Sequence, residues 1–88
     1  MTVTLDTIVR AGDASVAAVV EQRLRGHRAS GALSFHATKR PVAILIRRGG
    51  VTLAFDAAGH PLTPEAFDAL YPGLRERFEQ HAAAPPTA

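Results

Sequence analysis

From Gly31 onward, apolar and polar residues alternate with a period of two. Leu33, Phe35 and Ala37 alternate with Ser34, His36 and Thr38; Val42, Ile44 and Ile46 alternate with Ala43, Leu45 and Arg47; Val51, Leu53 and Phe55 repeat the pattern. That spacing belongs to strands with one buried face. Gly49-Gly50 supplies the positive φ angles of a two-residue hairpin loop, which pairs Ile46 with Leu53 and Ile44 with Phe55. A four-residue link from Thr38 to Pro41 pairs Phe35 with Ile44 and Leu33 with Ile46. Both registers put the large apolar residues on one face, and a one-residue slip would destroy that agreement. The pattern therefore predicts a three-stranded antiparallel meander with that face toward the core.

The flanking segments read as helical. Thr4 is an N-cap for a short helix with Leu5, Ile8 and Val9 at helical spacing; Gly12 stops it and Asp13 caps a second. That second helix is expected from about Ala14 to Leu24, with Val16, Val20 and Leu24 on one stripe beside Val19 and Gly26 marking its end. After the meander, Asp56 to Gly59 forms a turn, and His60 to Leu62 leaves room for a short fourth edge strand. Thr63 then caps a helix with Pro64 at its first position, Glu65 in its first turn and a Leu62–Phe67 hydrophobic staple. Pro72-Gly73 interrupts it, and Leu74, Phe78 and His81 line a last amphipathic segment. The expected fold class is α+β: a small single domain over residues 1–82 with two N-terminal helices, the meander and one or two C-terminal helices. The Ala/Pro tail, residues 83–88, is expected to be disordered.

Composition supports a folded chain. An apolar share of 47%, with four Phe and one Tyr in 88 residues, is enough for a small core, although a domain this size buries only about 60% of its unfolded surface. Cysteine is absent, which removes disulfides, thiolate metal sites and a cysteine nucleophile. The first residues lack the basic and long apolar regions of a secretory signal, and no apolar run approaches the roughly 20 residues of a membrane span. The expectation is a soluble cytoplasmic protein that does not engage membranes.

Charge adds the strongest functional clue. Between Gln22 and Phe55 lie Arg23, Arg25, Arg28, Lys39, Arg40, Arg47 and Arg48 with no aspartate or glutamate, while residues 1–21 sum to minus two and residues 56–88 to minus three. A one-signed surface attracts an anionic partner. In the expected register Arg25, Arg28, Arg47 and Arg48 share one end of the sheet, and Lys39 and Arg40 lie about 20 Å away at the other. Such a spread suits phosphate-backbone contacts, which need only points of positive charge. Charged strand edges that discourage sheet pairing, neutralised by the acidic flanks, account for the same residues without a ligand.

Other chemistry is sparse. One cross-strand row would read His36, Ala43, Asp56, with His36 as a general base, but its two outer residues stand about 9.6 Å apart across two strand spacings. His27, His36, His60 and His81 fall on four different elements without metal-ligand spacing, and Gly49-Gly50 is not followed by the helix a phosphate loop requires. No cofactor or metal is expected.

Helix, three antiparallel strands and helix, in that order over most of residues 13–82, resembles the double-stranded-RNA-binding domain. That family carries a lysine-rich motif at the start of its last helix, where this chain has the acidic Thr63-Pro64-Glu65-Ala66. Some small toxin ribonucleases look similar and use a histidine on the sheet. The segment Lys39-Arg40-Pro41-Val42-Ala43-Ile44-Leu45 is similar to a strand of Phd-type antitoxins. The reading that follows is a non-enzymatic binding or adaptor protein whose basic segment engages a nucleic acid or an acidic protein. The alternatives are a small ribonuclease-like enzyme centred on His36, and a homodimeric protein-interaction module in which acidic helices meet the basic end of a second copy's sheet.

Overall fold

A computed structural model describes residues 2–29 and 31–82; the expected tail at 83–88 lies outside the described residues. The chain runs β1 (Thr2–Leu5), β2 (Val9–Ala11), β3 (Ala14–Ala29), β4 (Ala32–Arg48), β5 (Val51–Asp56), β6 (Pro61–Leu62), α1 (Pro64–Leu70) and α2 (Leu74–Ala82). All strand pairings are antiparallel. The sheet order is β1-β3-β4-β5-β6, with β2 on the same edge of β3 as β1.

The two expected N-terminal helices are strands, so the two-helix-plus-meander α+β architecture is overturned in favour of a mostly antiparallel sheet with two C-terminal helices. Val16-Ala17-Ala18-Val19-Val20 is apolar without a break, so it satisfies a helical stripe and a two-sided strand equally. Its three valines, stiff at χ1 and crowded in a helix, favour the pleated form. Ala17 and Val19 then point to one face of the sheet and Val16 and Ala18 to the other. Gly12, read as a helix stop, instead occupies the tight β2–β3 turn at φ 63°, a conformation in which a side chain would be strained.

The expected link from Thr38 to Pro41 is also absent: β4 runs unbroken through it. Leu33 pairs with Arg28 and Phe35 with Gly26, whereas Ile44 and Ile46 pair with Ala18 and Val16. Val19 opposes Ala43 and Val20 opposes Pro41, leaving Val42 as the extra residue of a β-bulge. Proline, which lacks a backbone donor, is tolerated at such an irregularity. The Gly49-Gly50 hairpin pairs Ile46 with Leu53 and Ile44 with Phe55, as its turn chemistry required. The short edge strand at Pro61–Leu62 forms against Ala54 and Phe55.

Both helices lie on one side of the sheet. The Thr63 hydroxyl accepts the Ala66 N–H at 3.1 Å and Pro64 opens α1. Phe67 and Phe78, both fully buried, cover Ala17, Val19, Ala43, Leu45 and Ala54. Alanine at three of those five positions lets the aromatic rings approach the sheet closely. This is the face that the expected register turned away from the core. The face carrying Ile44 (37% exposed), Leu53 (52%) and Leu33 (56%) has no covering layer.

Asp68 and Glu79 fasten the helices through Arg75, whose Nη2 lies 2.6 Å from Asp68 Oδ2 and Nη1 3.1 Å from Glu79 Oε1. Hydrogen bonding to the guanidinium holds the Asp68 carboxyl below the ordinary aspartate value and raises Arg75. Among the described residues no helix is long and apolar enough to cross a membrane.

Candidate functional site

β1 accompanies β3 only as far as Gln22, and β5 accompanies β4 only back to Ala43. Beyond these points β3 and β4 continue alone as a two-stranded ribbon, which gives the molecule its long dimension of 56 Å against 35 and 20 Å. Residues 23–29 span about 23 Å at strand rise. The ribbon is built by the same alternation as the sheet, so its two sides differ in chemistry.

On the side continuous with the helix-covered face stand Glu21, Arg23 and Arg25 on β3, opposite Arg40, Thr38 and His36 on β4. They line two adjoining open depressions of about 260 and 290 Å³, the first formed by Glu21, Arg23, Thr38 and Arg40, the second by Arg23, Arg25, His36 and Thr38. Glu21 is the single acid of the group. Its Oε1 lies 2.9 Å from Arg23 Nε and its Oε2 3.4 Å from Arg40 Nη2. Lys39 reaches Asp6 at 3.6 Å. Arg25 and Arg28 make no ion pair with another described residue.

The acidic N-terminal flank therefore does neutralise part of the central charge, as Asp6, Asp13 and Glu21 each meet a central cation. Exposed pairs of this kind are worth about 0–1 kcal/mol and are screened by salt, so they compete weakly with a polyanion. The side chains of Arg23, Lys39 and Arg40 remain 52%, 55% and 73% exposed while paired.

The expected grouping of cations changes. Arg47 and Arg48 lie beside the Gly49-Gly50 turn opposite Ser15 and Ala14, whereas Arg25 faces His36, eleven residues back along β4 and so about 36 Å away. Arg47 Nη1 donates to Thr52 Oγ1 at 2.9 Å, and Arg48 Nε meets Asp13 at 3.1 Å. Lys39 and Arg40, expected at the far end from Arg25, instead lie three and four residues from its partner His36. Arg23 joins the site although the helix expected from about Ala14 to Leu24 would have placed it in a last helical turn. Its parity with Arg25 was the available signal, but only a strand makes two-residue spacing a shared face.

The row His36, Ala43, Asp56 does not form. Ala43 opposes Asp56, but His36 stands seven residues away on the ribbon, about 23 Å. Asp56 is a turn residue. Its Oδ1 accepts the His60 N–H at 2.8 Å and the Ala58 N–H at 2.9 Å, and Oδ2 lies 3.2 Å from His60 Nδ1. The His60 backbone bond is the chief reason its carboxyl sits below the ordinary aspartate value. Among the described residues no three histidines or carboxylates gather in a metal-holding group.

Comparison with known proteins brings no matching protein family, no matching curated protein and no matching solved structure.

Proposed function

We propose that this protein binds the phosphate backbone of a nucleic acid through the β3–β4 ribbon, without performing chemistry on it. The observation that carries this reading is the projection of a two-stranded ribbon holding Arg23, Arg25, Arg28, Lys39 and Arg40 with no acid between Gln22 and Arg40. A ribbon of two strands is about 10 Å wide and fits a duplex major groove of about 12 Å. Arg23 and Arg25, two residues apart, present cations about 6.6 Å apart along the strand, close to two phosphate intervals of about 3.4 Å along one chain of a duplex. The open depression around Arg23, Arg25, Thr38 and His36 offers donors to phosphate oxygens rather than a closed pocket for a small ligand. Recognition of this kind positions the protein and is nearly indifferent to base sequence.

Fluorescence polarisation against labelled duplex and single-stranded RNA and DNA tests it. Five phosphate contacts give a slope of log K against log salt of about −4.5 on duplex, so raising salt from about 50 to 200 mM weakens binding about 500-fold. Arg25→Glu with Arg28→Glu removes two of those contacts and flattens the slope by about 2. Absence of binding at low salt, or binding indifferent to these changes, overturns the proposal.

One observation favours a second reading, phosphodiester cleavage: His36 lines the same depression as Arg23 and Arg25, which places a titratable ring among phosphate-attracting groups. Cleavage of an oligonucleotide by the wild type and its loss in His36→Ala, with binding retained, would establish that reading over simple binding.

A further inference from the structure

The side of the sheet opposite the helices is apolar and bare. Val9, Val16, Ile44, Ile46, Leu53 and Phe55 lie on it in adjoining cross-strand rows, Val9 against Val16, Val16 against Ile46, Ile46 against Leu53 and Ile44 against Phe55. Val9 is 59% exposed and Leu53 52%. Across four strands and seven residues the face measures about 19 by 23 Å, about 440 Å² in projection. Leu24 and Leu33 carry the same side onto the ribbon and add about 220 Å². The total is near 660 Å², and its sheet part alone, about 440 Å², is as large as the largest apolar patch of a typical monomeric protein, about 300–600 Å².

We propose that two copies of this chain pack open face against open face, making a two-sheet sandwich with the helices outside and Arg23, Arg25, His36 and Arg40 of both ribbons turned outward. Two features of the face select a second copy as its occupant. First, the area fits: two such faces remove about 1,300 Å² from contact with water, within the roughly 1,200–2,000 Å² of stable specific complexes. Second, the charge is largely paired: on this side Arg48 meets Asp13 at 3.1 Å and Lys39 meets Asp6 at 3.6 Å, and Arg28, opposite Leu33, stands near the ribbon's end. A net-positive chain approaches itself most readily through a surface whose cations are already paired, as Arg48 and Lys39 are here. Face-to-face packing of like patches about a two-fold axis is the commonest way soluble chains associate, and sheet-on-sheet packing at about 10 Å buries alternate residues from both partners. The proposal does not rest on the nucleic-acid reading: Arg23, Arg25 and Arg40 stand on the other side of the ribbon, and only Arg28 and Lys39 on this one.

Sedimentation equilibrium of the full chain tests it. The expected mass at high protein concentration is twice the chain's 9.3 kDa, unchanged by high salt because no ion pair holds the interface. Leu53→Glu, at a position half-exposed in the single chain, should raise the dissociation constant at least about 100-fold by burying a charge at the contact. If that variant fails to fold by circular dichroism, the wild type decides alone, since the melting temperature of a dimer rises with protein concentration. A wild-type mass of one chain with a concentration-independent melting temperature overturns the proposal. A dimer that dissociates in high salt, or a single chain that co-sediments with phosphatidylcholine vesicles, overturns it equally, assigning the contact to charge pairing or the face to a lipid surface.

Discussion

Truncating Leu45 and Leu53 to alanine in turn measures which face of the sheet the helices cover. The two residues lie on neighbouring strands and on opposite faces: Leu45 is fully buried under Phe67 and Phe78, Leu53 half-exposed on the bare side. Leu→Ala deletes three carbons, worth about 2.4 kcal/mol in transfer terms at about 0.8 per methylene. At Leu45 a cavity cost is added, because its cross-strand neighbours Ala17 and Ala54 are too small to fill the space. The expected loss is about 3–5 kcal/mol, the upper part of the measured range for buried leucines. An 88-residue domain has about 4–13 kcal/mol in all, so this single change removes a large share of it. At Leu53 half the transfer term is already forfeited in the single chain, leaving about 1 kcal/mol. Urea unfolding followed by circular dichroism at low micromolar concentration reads both. Repeating it near millimolar concentration should enlarge the Leu53 cost and leave the Leu45 cost unchanged, since only Leu53 lies at the proposed contact. Equal costs in the dilute protein, or a larger one at Leu53, would mean the helices cover the other face and would refute the arrangement.

Two further outcomes follow from local geometry. Thr63→Ala removes the hydroxyl that accepts the Ala66 N–H and should cost about 1 kcal/mol, read from the urea midpoint. Asp68 has its folded-state pKa lowered by Arg75, so its contribution is fully present above the ordinary value of 3.8 and is lost as pH falls through the depressed value. Asp68→Asn should therefore destabilise the protein at neutral pH and flatten the decline of the urea midpoint below that pH.

What was legible in the sequence was what local chemistry alone determines. Gly49-Gly50 specifies a tight hairpin whatever surrounds it, and the Ile46–Leu53 register follows from the turn. Thr63-Pro64 likewise specifies a helix start, because a cap and a proline at the first position act within one turn. The N-terminal half was misread because Val16 to Val20 is apolar at every position, so neither period can win on pattern and the deciding preference of valine for a pleated surface is small. The break between the two alternating stretches, Leu33-Phe35-Ala37 on odd positions and Val42-Ile44-Ile46 on even ones, was visible. A turn and a bulge both shift phase by one, however, and Pro41 suits either. The choice of covered face was illegible for a different reason. Phe67 and Phe78 pack on the side where small residues leave room, while size alone favours the side with Ile44, Leu53 and Phe55 as core.

The bulge at Val42 also sets which chemistry appears on which side of the ribbon. With one residue more on β4 than on β3 between the pairs Val19–Ala43 and Val20–Pro41, the alternation resumes in opposite parity. Leu33 and Ala37 then stand on the side of Ile44 and Ile46, and His36, Thr38 and Arg40 on the side of Ala43 and Leu45. A strand that kept Val42 in regular pairing would reverse this, placing Arg40 and His36 on the bare apolar side and Leu33 on the basic one. Arg40 and His36 would then replace Lys39 on the surface proposed to meet a second copy, and apolar residues would interrupt the row of phosphate-attracting groups. One extra residue thus keeps Leu24, Leu33 and Ala37 in line with the apolar face and Arg23, Arg25, His36 and Arg40 together on the other side, so that of the ribbon's cations only Arg28 and Lys39 lie where association and nucleic-acid binding would meet.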